Sequence, residues 1–311
     1  MNYIEEIALA IEQSEKHGRE ILLEGVTGLS GDKLIGLLQR LVKNRATDEK
    51  CYLELGVFQG LTLTSVAAAA PTMTCFGIDN FSTNNTDKRN RQIMEERLSK
   101  HTVGNAFLIN EDFEDALLSL PDHIGDKLVS VYFIDGPHDY RSQYLSLEFA
   151  LPYLDEEAVI LIDDSNYEHV RRANADWLKA NPDFTLLFET YTPSHPRNLK
   201  TSDFDLAKKG WWDGLNVLVR DTNKLLPRSY PPVASSRERY FNDHLVHADQ
   251  NSELAPQILS VFSSSIFRAL AGFTKLLFKR SKFRNRYRNL NTSSEQLESN
   301  LFTDLSYRDK I

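Results

Sequence analysis

The sequence of 311 residues is 41% hydrophobic and 26% charged, which is typical of a soluble globular protein and excludes disordered and fibrous classes. Its formal net charge is −8, and this acidic balance argues against nucleic acid as the main partner, because phosphate binding needs a basic face. Its two cysteines, Cys51 and Cys75, exclude a disulfide framework and indicate small buried side chains in a reducing compartment.

The first 48 residues are predicted to form an N-terminal helical extension. Apolar residues recur at spacings of three and four over residues 3–24 and again over residues 31–44. The N-terminus carries early acidic residues and no basic region, so we expect no secretory signal. No apolar run reaches the roughly 18 residues that a membrane span needs. Together these features predict a cytoplasmic protein.

From residue 49 to residue 222 the pattern changes to short apolar runs separated by longer polar segments with helical spacing. The runs are Tyr52–Val57, Thr74–Asp79, Ala106–Asn110, Val129–Asp135, Ala158–Asp163, Phe184–Thr190 and Leu215–Arg220. Strands that alternate with helices predict an α/β domain with a seven-stranded, mostly parallel sheet and helices on both faces. The last two runs lack a strong helical pattern between them, so we expect an antiparallel hairpin at one edge.

The first predicted strand ends in "ELGVFQGLT", where Gly56 and Gly60 lie between the strand and a helix that begins near Leu61. Glycines at such a turn let the backbone approach a ligand, and the free N–H groups of the helix attract an anionic group such as a carboxylate. Thr62 and Thr64 add hydroxyl groups. The dinucleotide fingerprint G-x-G-x-x-G is absent, which disfavours a nicotinamide enzyme. A tight loop without a ligand is the alternative interpretation.

Acidic residues follow the second and third predicted strands. Asp79 ends the second strand, 23 residues after Gly56, where a carboxylate can accept two hydrogen bonds from a ribose diol. Glu111 or Asp112 follows the third strand and could reach an adenine amine. Surface turns are often rich in acids, so each residue alone is a weak signal. Together they predict a binding site for a nucleoside along the carboxyl edge of the sheet.

Three further aspartates follow the fourth and fifth strands. Asp135 ends the fourth strand in "FIDGPHDY", and Asp163 and Asp164 end the fifth in "LIDDSNY". Neighbouring parallel strands lie about 4.8 Å apart, so these carboxylates should converge and repel one another unless a cation is present. We therefore predict a divalent metal site, with Mg²⁺ as the first candidate. Alternatively, Asp135 only ends a strand, and Asp164 caps the next helix.

The pattern E-x-G-x-x-x-G-x-T resembles motif I of class I S-adenosylmethionine-dependent methyltransferases, which have a Rossmann-like fold. The "DG-x-H" and "DD" segments resemble macrocin-type metal-dependent O-methyltransferases. The first resemblance implies that Glu54 and the two glycines surround the methionine part of S-adenosylmethionine. The second implies that Asp135, Asp163 and Asp164 hold the metal and that His138 is the general base. Pro137 and the segment "DEEA" depart from the second pattern.

We therefore predict an O-methyltransferase that acts on a small hydroxylated acceptor of sugar or natural-product type. One alternative is a metal-dependent hydroxylase or hydrolase of the cephalosporin hydroxylase-like type. The other is a non-catalytic protein that binds membrane surfaces through its C-terminal region, residues 223–311. That region is predicted to be a linker and a basic amphipathic helix over residues 262–290, which docks on the acidic body, on a second subunit in a homo-oligomer, or on a membrane.

Overall fold

The protein folds around one central β-sheet. The computed structural model describes residues 2–82, 88–192, 201–233 and 300–301. The strands are β1 (Lys50–Leu55), β2 (Thr74–Ile78), β3 (Ala106–Ile109), β4 (Leu128–Ile134), β5 (Leu154–Ile162), β6 (Phe184–Thr190), β7 (Leu215–Arg220) and the two-residue β8 (Asn300–Leu301). The predicted α/β class and the seven main strands are confirmed.

The strand order is β3-β2-β1-β4-β5-β7-β6-β8. The pairs among the first five strands are parallel, whereas β7 is antiparallel to both β5 and β6. The predicted antiparallel pair at one edge is therefore confirmed, with β7 inserted between β5 and β6. Order 3-2-1-4-5 places a topological switch point between β1 and β4, where ligands of open α/β sheets bind at the carboxyl ends of the strands.

Helices cover both faces of the sheet. They are α1 (Tyr3–His17), α2 (Asp32–Arg45), α3 (Leu61–Ala69), α4 (Asn90–His101), α5 (Phe113–Leu118), α6 (Leu120–Ile124), α7 (Tyr140–Ala150), α8 (Glu168–Ala180) and α9 (Thr201–Lys209). The apolar residues of α1 to α4 join one hydrophobic cluster with one face of the sheet, and those of α5 to α8 join a second cluster on the other face. Cys51 and Cys75 are buried free thiols. In the described part of the chain, no helix combines the length and apolarity needed to cross a bilayer.

The first helix is shorter than predicted. Helix α1 ends at His17, not at residue 24, because Gly18 takes a positive φ of 63° and its N–H closes the helix on the carbonyl of Ser14. Residues 18–30 then form a loop that the buried side chain of Gln39 anchors by accepting hydrogen bonds from the backbone of Glu20 and Ile21. The apolar residues after Gly18 extend the helical spacing by coincidence.

The described part of the C-terminal region packs on the body of the domain. Ser229 N–H donates a hydrogen bond to the hydroxyl of Thr185 in β6, and the Arg171 side chain in α8 donates to the carbonyl of Pro232. The predicted basic helix at residues 262–290 lies outside the described residues.

Candidate active site

The loop that joins β1 to α3 lies at the carboxyl edge of the sheet. Gly56 has a φ of 89°, and a Cβ atom there would clash with the carbonyl oxygen of Asp135. Gly60 has a φ of 74° and begins α3 without a side-chain cap, and a Cβ atom there would lie 2.7 Å from Cγ of Met94. Both glycines therefore serve close packing within the protein. Gly56 joins this loop directly to the end of β4.

Asp79 organises the same loop. One carboxylate oxygen accepts hydrogen bonds from the backbone N–H groups of Val57 (2.9 Å) and Phe58 (2.7 Å), and the other accepts from Phe81 N–H (2.6 Å). A carboxylate offers about four lone-pair positions. One position therefore remains for a ribose hydroxyl, where the sequence interpretation expected two.

Glu54 is fully buried beneath the loop. Its carboxyl oxygens accept hydrogen bonds from the hydroxyls of Thr62 (2.5 Å) and Tyr52 (2.6 Å). Burial raises the pKa of Glu54 to about 8. Glu54 and Thr62, both predicted to bind the cofactor, thus bond to each other. The buried hydroxyl of Thr64 has no hydrogen-bond partner among the described residues and lies beside Gly60.

The two acids after β3 differ in their surroundings. Asp112 caps α5 by accepting a hydrogen bond from Glu114 N–H, and its other oxygen accepts one from the side-chain amide of Asn80, next to Asp79. Glu111 lies 3.5 Å from the imidazole of His123. Asp112 is therefore linked to the residues that follow β2, whereas Glu111 pairs with His123 of α6.

A second group of polar side chains lies at the ends of β4 and β5. The Nε2 atom of His138 lies 2.7 Å from Oδ2 of Asp164 and 3.9 Å from Oδ1 of Asp135. One potential ligand atom from each of these three residues falls within 4.8 Å of the others, which is compact enough to hold a metal ion. The imidazole ring stacks on Tyr167, with ring centroids 5.4 Å apart. The prediction that Asp135 and Asp164 converge is confirmed.

Asp163 takes a different position from the one that the resemblance implied. One of its oxygens accepts a hydrogen bond from Asp164 N–H at 2.9 Å, and the other is buried without a hydrogen-bond partner among the described residues. The three-residue group that can hold a metal contains His138 in place of Asp163. An orphaned carboxylate oxygen beside two further carboxylates nevertheless suits a cation in this cluster.

The electrostatics of the cluster reflect its crowding. Burial and the charge of Asp164 raise the pKa of Asp135 to about 7, although the hydrogen bond to His138 opposes the shift. Burial and the neighbouring carboxylates raise the pKa of Asp163 well above its ordinary value. Burial disfavours the charged imidazolium of His138, but the Asp164 and Asp135 carboxylates outweigh it and raise its pKa. The cluster therefore holds more negative charge than it can stabilise without a proton or a cation.

The sequence interpretation missed Asp213. This residue directly precedes β7, and because β7 runs antiparallel to β5, its start lies at the carboxyl end of β5. The buried Asp213 carboxyl accepts a hydrogen bond from the side-chain amide of Asn166 at 2.5 Å, and burial and the nearby Asp164 charge raise its pKa well above the ordinary value. The sequence does contain a signal for Asp213, since it is an acidic residue directly before a strand that was predicted to be antiparallel.

The alternative role for Asp164 as a helix cap is wrong. Helix α8 begins at Glu168, and its N-cap is Tyr167. Asp164 instead adopts a positive φ of 52°, which is uncommon for a residue with a side chain and occurs most often at turns and functional sites.

Comparison with known proteins shows a similarity for the central part of the chain. Residues 53–165 match the family model described as a methyltransferase domain. An O-methyltransferase from Bacillus cereus, solved in complex with SAH, is 14% identical with a TM-score of 0.47, over 70% of this chain and 90% of that chain. The O-methyltransferase TomG from Streptomyces achromogenes, involved in tomaymycin synthesis and solved in complex with SAM, is 17% identical with a TM-score of 0.46, over 71% and 90%. No curated protein matches the sequence.

The matched interval contains the loop at Gly56, Asp79, and the cluster of Asp135, His138 and Asp164, and it leaves Asp213 outside. Residues 53–165 are thus similar to a methyltransferase domain.

Proposed function

We propose that the protein transfers the methyl group of S-adenosylmethionine to a hydroxyl oxygen of a small acceptor, with the help of a divalent metal ion. The observation that carries the proposal is the contact of Gly56 with the backbone of Asp135. It puts the loop of the methyltransferase domain beside the carboxylate cluster, so that a methyl donor and a metal-bound acceptor would be neighbours.

On the donor side, the chain's own groups supply binding and orientation. Asp79 would accept one ribose hydroxyl while its other hydrogen bonds keep the loop in place. The uncapped N–H groups at the start of α3 and the hydroxyl of Thr64 are suitable partners for the carboxylate of the amino-acid part. Asp112 would face the adenine. Glu54, bonded to Tyr52 and Thr62, would support the loop from beneath.

On the acceptor side, Asp135, His138 and Asp164 would hold the ion, with Asp163 next to them. When bound, S-adenosylmethionine supplies an activated methyl group, and a Mg²⁺ or similar cation lowers the pKa of an acceptor hydroxyl. These residues would hold the acceptor oxygen near the methyl group. An O–C bond would then form as the C–S bond breaks, and the hydroxyl proton would pass to a neighbouring carboxylate of the cluster, whose raised pKa suits it to accept a proton. The acceptor would be a small hydroxylated molecule, of sugar or natural-product type.

His138 is a candidate for the general base and for a metal ligand, and the position of its Nε2 atom distinguishes the two roles. As general base, its Nε2 atom must accept the proton of the acceptor hydroxyl. In this structure Nε2 instead faces the oxygens of Asp164 and Asp135. We propose that His138 serves as a metal ligand when the ion is bound. If it were only the base, His138→Ala would keep metal affinity and lose turnover.

The hydroxylase alternative receives less support from the cluster. Non-haem iron oxygenases use two histidines and one carboxylate around an ion with open positions. The group found here has one histidine and two carboxylates, which suits a harder ion such as Mg²⁺.

The proposal is tested by methyl transfer to a panel of hydroxylated acceptors, with and without Mg²⁺, alongside calorimetry of donor binding. Asp135→Ala and treatment with a chelator should both abolish transfer while donor affinity stays nearly unchanged. Asp155→Ala is a matched control, since it removes a buried aspartate paired with Lys50 at the opposite edge of the sheet. Full transfer by Asp135→Ala in the presence of chelator would contradict the metal mechanism.

A further inference from the structure

We infer that Asp213 is the positioning residue of the metal centre, and that the N-terminal helices fix Asp213 in turn. This inference rests on the proposed metal-assisted function. It assigns a role in the site to the segment of residues 210–214, which lies outside the matched methyltransferase interval.

Asp213 holds the segment that carries the metal ligand Asp164. It is fully buried, it lies close enough to Asp164 that burial and the Asp164 charge raise its pKa, and it accepts a hydrogen bond from the side-chain amide of Asn166. The side-chain oxygen of Asn166 accepts a hydrogen bond from Thr192 N–H at 3.0 Å. The N–H of Asn166 also donates a hydrogen bond of 3.0 Å to the carbonyl of Asp213, so Asp213 holds the segment that follows Asp164 through both its backbone and its side chain. Partners of this kind set the orientation of metal-binding side chains.

The N-terminal helices hold the segment before Asp213. The indole N–H of Trp211 donates a hydrogen bond of 2.6 Å to Glu15 of α1, and Lys33 N–H of α2 donates one of 3.2 Å to the carbonyl of Gly210. A Cβ atom on Gly31 would clash with that same carbonyl, so helix and segment are in close contact.

The backbone conformation of this segment supports a functional role. Trp212 has a positive φ of 60°, and such strained residues concentrate at sites where geometry is functionally constrained. A second buried carboxyl group next to Asp164 also costs folding free energy. A contact that orients a metal ligand accounts for both features.

The test is a titration of the full-length protein with Mn²⁺, a paramagnetic stand-in for Mg²⁺, followed by electron paramagnetic resonance. Asp213→Ala should lower Mn²⁺ affinity by about tenfold or more. Asp213→Asn should bind nearly as well as the wild type, because its side-chain oxygen can still accept the hydrogen bond from Asn166. If Asp213 were instead a direct ligand, the Asn variant would lose the anionic oxygen and bind Mn²⁺ clearly more weakly than the wild type, and the positioning role would be wrong.

Asp221→Ala is the matched control. Asp221 is a buried aspartate directly after β7, where it accepts hydrogen bonds from the N–H groups of Leu225 and Leu226. This variant should lower the melting temperature without changing Mn²⁺ affinity. Trp211→Phe, which removes the bond to Glu15 and keeps an aromatic ring against Phe188, should weaken Mn²⁺ binding severalfold and gives a second test if Asp213→Ala does not fold.

Two negative outcomes have different meanings. Wild-type protein that binds no Mn²⁺ overturns the metal-assisted function and this inference together. Wild-type protein that binds Mn²⁺, with Asp213→Ala and Trp211→Phe binding equally well, overturns only the role of Asp213.

Discussion

Glu54 keeps its carboxyl group in the interior, where burial gives it a pKa of about 8 against an ordinary value of 4.5. The folded protein therefore binds this proton more tightly than the unfolded chain does. The resulting stability is fully present below pH 4.5 and is lost as the pH rises to about 8. Glu54→Gln, which is neutral at every pH, should lack this loss.

The measurement is urea unfolding of both proteins at several pH values between 5 and 8. The free energy of unfolding of the wild type should fall relative to that of the variant by up to about 1.4 kcal/mol per pH unit. Other groups titrate alike in both proteins, so their contributions cancel when the two free energies of unfolding are compared. A difference that stays constant with pH would show that Glu54 is ionised in the folded protein.

Asp79 combines two tasks, so its replacement should affect two measurements. Asp79→Ala removes three hydrogen bonds from the loop and the proposed ribose contact, and it should lower both the melting temperature and the affinity for S-adenosylhomocysteine. The loss of affinity should be about tenfold or more, as expected for a charged hydrogen bond. Calorimetry gives the affinity.

Asp183→Ala provides the control for Asp79, because Asp183 is an exposed aspartate that directly precedes β6, at the opposite edge of the sheet. It should change neither quantity appreciably. Unchanged S-adenosylhomocysteine affinity in Asp79→Ala would remove Asp79 from the donor site.

At the scale of elements, the loop after β1 and the end of β4 are joined through Gly56. Gly56→Ala introduces both an unfavourable φ and a clash with the carbonyl of Asp135. We expect it to destabilise the protein and to weaken Mn²⁺ binding, because Asp135 must shift. Gly104→Ala is the matched control, since Gly104 has a φ of 84° and nothing within 4 Å of the added Cβ atom.

Comparison of Gly56→Ala with Gly104→Ala separates the cost of a positive φ from the cost of the clash with Asp135. Gly104→Ala should cost about 1 kcal/mol of stability and leave Mn²⁺ affinity unchanged. Gly56→Ala should cost about 1–3 kcal/mol more, as overpacking usually does. Thermal unfolding and the Mn²⁺ titration measure both effects. Equal behaviour of the two variants would show that the contact between the loop and β4 is not tight.

The sequence was sufficient to locate most elements, because the strands are continuous apolar runs with turn residues after them. The main strands, the start of α3 at Leu61 and the convergence of Asp135 and Asp164 followed from these patterns. The end of α1 did not, because the apolar residues after Gly18 keep a helical spacing in a segment that the side chain of Gln39 holds as a loop.

The partners of the site residues were harder to predict than their positions. The sequence shows Glu54, Thr62 and Asp79 near the loop, but only packing decides that Glu54 bonds to Thr62 and that Asp79 accepts three backbone N–H groups. Asp213 was missed because it is distant in sequence from the other acids. It also precedes its strand, whereas the other acids of the site follow theirs, and it reaches them because β7 runs antiparallel to β5.

At the scale of the whole molecule, charge is unevenly distributed along the sequence. Residues 254–294 hold eight lysines and arginines and no acidic residue, so the rest of the chain carries −8 − 8 = −16. Deletion of residues 262–290 should therefore lower the melting temperature or change the oligomeric state in the absence of lipid, if this segment docks on acidic protein surface. Differential scanning calorimetry and sedimentation measure these two properties.

The deletion also tests the membrane alternative. Binding to anionic liposomes should be the same with and without residues 262–290 if the segment docks on protein. Unchanged melting temperature and oligomeric state, together with lost liposome binding, would favour a membrane contact.

The insertion of β7 between β5 and β6 has a consequence for synthesis on the ribosome. Strand β6 emerges before β7, so until residues 215–220 have been made, the edge of β5 next to Asp163 exposes unpaired backbone groups. Nascent chains are prone to aggregation through such edges. A fragment that ends at residue 165, where the family match ends, would retain this open edge permanently. We therefore expect the segment that matches the family model to aggregate through β5 when it is produced without the residues that follow it.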